Sequence, residues 1–209
     1  PLEMPLRWRA PRKIFVCSMT DLFADFVRDE WILAVAHVIA HTPHHIYQVL
    51  TKRPARMREM MRATFETPPA NLWLGVSVED QAAADERIPI LLGTRAAKRW
   101  LSCEPLLGPI DLAPWVGKIS WTVVGGESGP RARPMNPDWA RSLRDQCAAA
   151  GVAFLFKQWG EYRKALPGDF EQGKFYEAYT FPDKTTVIKC GKRRAGRTLD
   201  GVIHDGYPT

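Results

Sequence analysis

The fold of this chain is decided by Ser120-Trp121-Thr122-Val123-Val124-Gly125-Gly126-Glu127-Ser128-Gly129. The apolar first half of this stretch is typical of a strand that is buried on both faces, as in a parallel sheet. The two central glycines allow a sharp turn and a close approach of the backbone to a ligand. Glu127 and Ser128 follow at the strand end where α/β sheets and barrels place their chemistry. Taken alone, the pattern also fits an ordinary strand that ends in a glycine turn.

Length and composition describe an ordinary globular chain. Its 209 residues, 45% hydrophobic and 25% charged, suffice for one large domain or for a domain with an appendage. No apolar run approaches the roughly 20 residues of a membrane helix and no signal peptide opens the chain, so we expect a cytoplasmic protein without a membrane partner. A net charge of +6 permits nucleic-acid binding without requiring it.

Strand-like and helix-like segments alternate on both sides of the central stretch. The clearest helix follows it, with Asn136 as N-cap, Pro137 in the first turn and Gly151 as C-cap. Such alternation indicates a parallel sheet, which can curl into a partial barrel or wind doubly into an open sheet. No G-x-G-x-x-G follows the first strand, which disfavours a dinucleotide fold. We therefore predict an α/β fold: a partial (βα) TIM-like barrel of about six parallel strands. The predicted strands cover residues 14–19, 45–50, 72–78, 99–103 and 152–156, and the central stretch, residues 120–129, contains the fifth strand in chain order.

The alternation does not extend to the two ends of the chain. The first twelve residues contain three prolines among basic residues and are predicted to lack a regular element. Two strand-like runs, residues 175–181 and 185–190, predict a hairpin near the other end, with a basic stretch from Lys189 to Arg197 after it. We accordingly divide the chain into a barrel domain, residues 1–160, and an appendage with the hairpin and basic tail, residues 161–209.

Every predicted strand changes from apolar to polar where it ends. Because the carboxyl ends of parallel strands meet at one edge, these side chains are expected to converge on a single mouth. Their mixture of acids, hydroxyls and amines favours a polar, zwitterionic ligand, although each of them could be a solvated loop residue or a helix cap. The members are Ser18, Asp21, Thr51, Lys52, Ser77, Glu79, Glu104, Glu127, Ser128, Lys157 and Gln158.

Two other classes of site fit the sequence poorly. The stretch from Gly126 to Gly129 lacks the G-x-S-x-G spacing of a serine nucleophile elbow. The cysteines lie far apart in the chain, so neither a zinc site nor an iron–sulfur cluster is expected from this chain alone. Two of them fall in predicted strands and are expected to be buried thiols. The four are Cys17 and Cys103, which lie in those strands, and Cys147 and Cys190.

Seven short motifs follow one another through nearly the whole chain: Pro11–Phe23, Gln48–Pro54, Leu74–Glu79, Ser102–Gly108, Val124–Gly129, Phe156–Gly160 and Ala195–Gly201. Together they resemble a phage-associated family of largely uncharacterised proteins. That family is similar to the radical S-adenosylmethionine (SAM) enzymes, and the resemblance implies a barrel of βα units.

The resemblance also implies two cofactors, SAM and a [4Fe–4S] cluster. A three-cysteine motif would hold three irons and leave the fourth to the amino and carboxylate groups of SAM. That motif is missing here, so we expect an N-terminally truncated copy or a chain that has lost its activity, and in both cases no cluster ligands. The expected cofactor-binding residues are Ser77, Glu79, Glu104, Gly125, Gly126, Glu127, Ser128 and Lys157.

Two functions remain open, and they can coexist. One is a radical-SAM-like enzyme whose substrate the sequence does not reveal; the other is a phage-derived nucleic-acid-binding protein without catalysis. Clusters of Lys and Arg fit phosphate contacts, although a solvated basic face has the same composition. A protein encoded nearby is a second candidate partner, and the oligomeric state stays open. The residues expected to contact substrate or nucleic acid are Asp21, Thr51, Lys52, Arg53, Gln158, Lys192, Arg193 and Arg194.

Overall fold

The computed structural model describes residues 2–170 and 175–208. Three parts of the chain lie outside the described residues: Pro1, with which the first predicted domain begins, and residues 171–174 and Thr209 of the predicted appendage. The helices are α1 (Met4–Arg7), α2 (Asp29–Ala40), α3 (Pro54–Thr64), α4 (Gln81–Leu92), α5 (Pro137–Ala149) and α6 (Lys192–Ala195). The strands are β1 (Lys13–Val16), β2 (Ile46–Thr51), β3 (Leu72–Ser77), β4 (Lys98–Cys103), β5 (Trp121–Gly125), β6 (Ala153–Gln158), β7 (Tyr162–Lys164), β8 (Ala178–Thr180) and β9 (Thr186–Lys189).

Strands β1 to β6 belong to one sheet in which the strand order follows the chain order. Parallel pairs join β1 to β2, β2 to β3, β3 to β4, and β5 to β6. Every residue of β3 and β5 is buried, as expected for apolar strands covered on both faces. The α/β class and the parallel sheet are thus confirmed. The order never reverses, whereas a doubly wound sheet has a switch point, so the doubly wound alternative is wrong.

The chain forms two compact units, which are described separately. Unit 1 comprises Pro1–Ser77, Asp85–Ser102 and Lys118–Ser120, and unit 2 comprises Val78–Ala84, Cys103–Gly117 and Trp121–Thr209. The predicted boundary after residue 160 stays a prediction. No helix of the described part of the chain is long and apolar enough to cross a bilayer.

The core of unit 1 lies between its strands and the apolar faces of α2 and α3. Helix α2 buries Ile32 and Ile39, and α3 buries Met57 and Met61. These buried positions recur at helical spacing, which is why both segments fold as helices against the sheet. This packing holds the carboxyl ends of β1 and β2 in place. The loops that follow these ends carry polar residues of the predicted site.

In unit 2, helix α5 begins as its sequence predicts, and it ends one residue earlier than predicted, because its C-cap is Ala150 and Gly151 follows that cap. The Asn136 side chain accepts a hydrogen bond from the backbone N–H of Asp138 at 3.0 Å, and Pro137 occupies the first turn. After the last helical residue, Gly151 adopts a φ of +67°, the left-handed conformation that glycine takes most easily. The buried face of α5, which includes Leu143 and Cys147, positions the helix beside β5 and β6.

The predicted hairpin belongs to a small antiparallel sheet with the order β7-β9-β8. Strand β9 is central, and β8 pairs with it as predicted. Strand β7 is an addition to the prediction, because three residues are too short for a recognisable alternation. Tyr162 of β7 and Val187 of β9 form a buried cluster with Ala132 and with Phe181, which follows β8, and Trp139 of α5 packs against this cluster. The sheet therefore shares a core with the rest of unit 2.

Two predictions about the start of the chain are wrong. Helix α1 forms where no regular element was expected, since Pro5 occupies its first turn and needs no backbone N–H there. Cys17 lies outside β1, in a turn with a φ of 55°, and is only half-buried. The pairing of β1 with β2 ends at Val16, so the ladder that would have kept Cys17 in the strand is missing.

Candidate functional site

One polar group of unit 2 is centred on Glu104, which directly follows β4. Its Oε2 accepts a hydrogen bond from Lys157 Nζ at 2.8 Å and its Oε1 accepts one from Gln158 Nε2 at 3.0 Å. The same Gln158 amide donates to Ser128 Oγ at 3.2 Å. We call Glu104, Ser128, Lys157 and Gln158 the Glu104 network. The structure therefore brings together four predicted site residues from three separate strand ends.

An irregularity in β6 explains why two consecutive side chains reach the same carboxylate. Val124 pairs with Phe156, but the next residue, Gly125, pairs with Gln158. Lys157 is thus the extra residue of a β-bulge, and a bulge re-aims side chains that would otherwise point to opposite faces. Lys157 stays 55% exposed while Glu104 is only 17% exposed. The network consequently presents an ammonium group to solvent above a shielded carboxylate.

The glycines of the central stretch lie close to other parts of the same chain. A Cβ at Gly125 would lie 3.1 Å from Oε1 of Glu104, so this glycine leaves room for the network. A Cβ at Gly126 would overlap the carbonyl oxygen of Trp159, and one at Gly160 would overlap that of Glu127. Gly126 N–H donates to the Gln158 carbonyl at 2.9 Å, which holds the two segments at this short separation. The predicted contact of Gly125 and Gly126 with a ligand stays a prediction.

Glu127 is bound to Arg133 within its own loop. Its Oε2 accepts from the Arg133 backbone N–H at 2.7 Å and from Nε at 2.8 Å, and its Oε1 accepts from Nη2 at 2.7 Å. The hydrogen bonds from the Arg133 side chain lower the pKa of Glu127, so the carboxylate stays ionised. This bidentate pair favours loop closure as the role of Glu127.

Glu79 and two cysteines lie in the interior of unit 2. The Glu79 side chain is buried, and its backbone carbonyl accepts from Leu107 N–H at 2.8 Å. Burial raises the pKa of the Cys103 thiol, with further contributions from Cys147 and Glu79, and burial also raises the pKa of Cys147. Both thiols therefore remain protonated, and Cys103 is the buried thiol that the sequence predicted.

An open pocket of about 450 Å³ adjoins the Glu104 network. The tail is held there because Trp159 N–H donates to the Gly196 carbonyl at 3.1 Å and Trp159 Nε1 donates to the Thr198 carbonyl at 2.8 Å. We call this open pocket the basic pocket. Its lining consists of Lys157, Gln158, Lys192, Arg193, Gly196 and Arg197. Three of the predicted contact residues thus share one pocket, whereas Arg194 does not line it.

A family comparison extends over almost the full chain. The model of one family, described as a protein of unknown function (DUF5131), matches residues 1–208. The chain belongs to this family. No curated protein and no solved structure matches it. The resemblance of this DUF5131 chain to phage proteins and radical-SAM enzymes stays a prediction.

Four of the predicted site residues of this DUF5131 chain meet in unit 1. The Asp21 carboxylate accepts from Thr51 Oγ1 at 2.8 and 3.0 Å, from Lys52 N–H at 3.0 Å and from Arg53 Nη1 at 3.1 Å. Phe23 N–H adds a hydrogen bond at 2.9 Å. Donors of its own chain surround Asp21, so its evident role is to join the loops after β1 and β2. Arg53 remains 41% exposed and can still reach an anion.

Ser77 also belongs to unit 1. Its side chain is buried at the end of β3, and its carbonyl accepts from Arg87 Nη1 at 2.7 Å. These contacts place Ser77 in the packed part of the sheet. The remaining predicted site residues belong to unit 2. They are Glu79, Glu104, Gly125, Gly126, Glu127, Ser128, Lys157, Gln158, Lys192, Arg193 and Arg194.

The cysteines of this DUF5131 chain do not form a cluster site. Cys103 and Cys147 are buried, and Cys17 and Cys190 are half-buried, all four as free thiols. In residues 2–170 and 175–208, no group of three His, Cys, Asp or Glu side chains is arranged to hold a metal ion. The residues present therefore do not fit a [4Fe–4S] cluster, which needs closely placed thiolates.

Sequence reasoning missed three residues that shape the candidate site. Arg133 fixes Glu127, Glu161 accepts from Gly129 N–H at 3.0 Å, and Gly196 lines the basic pocket. Arg133 and Glu161 lie in loops without a recognisable motif, so no local signal marks them. Gly196 lies inside the basic stretch, where a glycine between charged residues is not a signal for a binding site.

Proposed function

We propose that this chain is a radical-SAM-like enzyme of unknown substrate that binds SAM, and that its own residues do not assemble the [4Fe–4S] cluster. We further propose that its sheet is part of a TIM-like barrel. The sequential order of β1 to β6 supports the barrel, since each βα unit of such a barrel adds the next strand in turn. The expectation of SAM itself comes from the sequence resemblance.

The observation that carries the proposal is the Glu104 network. SAM presents an amino group and a carboxylate on one carbon, with ribose hydroxyls further along. Glu104 is an acceptor for the amino group, the exposed ammonium of Lys157 is a donor for the carboxylate, and the exposed Ser128 hydroxyl suits the ribose. The donor set therefore fits a zwitterionic ligand of this kind.

The roles of the chain's own residues follow from these contacts. Lys157 and Gln158 hold the Glu104 carboxylate in a fixed orientation, so it is prepared to bind a cation before the ligand arrives. The pair of Glu127 and Arg133 closes the neighbouring loop. SAM, when bound, supplies a sulfonium whose attached carbon groups are activated for transfer or cleavage. No step through the cluster is assigned, because the cysteines do not fit it.

Calorimetric titration with SAM tests the proposal on the full chain. We expect the parent to bind SAM and Lys157→Met to bind it roughly ten- to a hundredfold more weakly, since a lost charge-assisted hydrogen bond costs about 1.5–3 kcal/mol. Glu104→Gln should weaken binding by a similar factor, because it removes the acceptor charge.

The matched control is Lys118→Met, which removes an exposed lysine of unit 1 and should leave SAM binding unchanged. Thermal melting of each variant establishes that it folds. A parent that does not bind SAM, or a folded Lys157→Met variant that binds it as tightly as the parent, would contradict the proposal.

A further inference from the structure

The basic pocket contains more positive than negative charge. Four of its lining residues are cationic, and two of these have acidic partners: Lys157 pairs with Glu104, and Arg197 pairs with Asp205. Within the described chain, Lys192 and Arg193 have no carboxylate partner. Two exposed cations thus face one pocket with their charges uncompensated by the residues that the structure describes.

The fold fixes the backbone segment that carries these two cations. Lys192 and Arg193 lie on α6, whose last residue, Ala195, is buried. The hydrogen bond from Trp159 N–H to the Gly196 carbonyl then ties the end of α6 to the end of β6. The backbone that carries the cations is therefore in place before a ligand binds, which reduces the entropy lost on binding.

From the charge and shape of the pocket, we infer that it binds a phosphate group carried by a nucleotide or by a nucleic-acid strand. The phosphate monoester of a nucleotide carries more negative charge than a carboxylate. Both it and the phosphodiester of a strand accept two parallel hydrogen bonds from a guanidinium, which Arg193 offers. The volume of about 450 Å³ is typical of sites for small molecules. Lys157 and Gln158 belong both to this pocket and to the Glu104 network. The inference rests on Lys192 and Arg193 instead, and it does not require SAM, which contains no phosphate.

Titrations of the full chain with adenosine monophosphate and with a single-stranded twelve-nucleotide DNA test the inference. We expect Lys192→Gln and Arg193→Gln each to weaken the binding of the phosphate-bearing probe by about tenfold. Lys164→Gln is the matched control, because it removes the same charge from an exposed position of unit 2 outside the pocket, and it should bind like the parent.

The two probes distinguish the source of the phosphate. If the pocket variants bind adenosine monophosphate more weakly than the parent and the control variant do, the result supports a nucleotide site. Weakened binding of the DNA, with a salt-dependence slope lower by about 0.7 for each lost contact, supports a nucleic-acid strand. If neither probe binds, or if the pocket variants match Lys164→Gln, the inference is overturned.

Point substitutions suit this test better than removal of residues 186–209. Such a deletion would take away β9, the central strand of the antiparallel sheet, and unfolding would obscure the effect on binding. Lys192 and Arg193 are exposed, so their replacement by Gln should leave the fold intact. Separate SAM titrations of the same variants show whether the two proposed sites fail together or independently.

Discussion

At the scale of single residues, Gly126 determines how closely the segments after β5 and β6 approach each other. We expect Gly126→Ala to destabilise the protein by about 1–3 kcal/mol, because its methyl group would overlap the Trp159 carbonyl and force the backbone apart. The free energy of unfolding in urea measures this effect. Gly117→Ala is the control, since nothing lies within 4 Å of a Cβ there, and it should unfold like the parent.

The same pair of variants separates two interpretations of Gly126. If Gly126→Ala unfolds like the parent but loses affinity for SAM, the glycine serves a ligand rather than the backbone. Loss of stability without such selective loss of affinity assigns it to the packing of the chain against itself.

At the scale of elements, Asp200 ties the C-terminal segment to helix α5. Its carboxylate accepts from Arg141 Nη2 at 2.6 Å and from Arg144 Nη1 at 2.7 Å. The hydrogen bond from Arg141, followed by that from Arg144, lowers the pKa of Asp200 from 3.8 to about 2. Because the folded pKa lies below the unfolded one, the pair stabilises the protein fully above pH 3.8 and loses its effect as the pH falls towards 2.

Asp200→Asn should therefore lower the stability at neutral pH by about 1 kcal/mol, a small effect because the side chain is 39% exposed and screened by solvent. That loss corresponds to a decrease in melting temperature of about 2–4 °C. The difference between variant and parent should shrink as the pH falls from about 4 to 2. A difference that stays constant over this range would show that the charge of Asp200 is not what stabilises the contact.

At the scale of the whole molecule, the placement of the cysteines bears on whether the chain can hold an iron–sulfur cluster. We expect no [4Fe–4S] absorption band after anaerobic reconstitution with iron and sulfide, since Cys103 and Cys147 are buried, protonated thiols and the described residues contain no metal-binding group of three. A variant with all four cysteines changed to serine is the control and should give the same spectrum. A stoichiometric cluster in the parent alone would refute this expectation.

The sequence by itself determined the elements and their order. Apolar runs, helical spacing and the cap at Asn136 are local patterns, and local sterics and hydrogen bonds convert them into the same strands and helices wherever they occur. The regular alternation of these elements then limits the fold to a parallel α/β sheet. The short helix α1 and the three-residue strand β7 were not predicted, because segments this short show no recognisable hydrophobic periodicity.

Only the tertiary structure decided which polar groups meet. The carboxylate of Glu104 lies beside Lys157 and Gln158, which follow it by 53 and 54 residues, and the bulge at Lys157 re-aims that side chain. The folded tail carries Lys192 and Arg193 to the end of β6, and Gly126 meets the backbone of Trp159. These contacts join residues distant in the chain, and they depend on strand register and loop path, which no local pattern encodes.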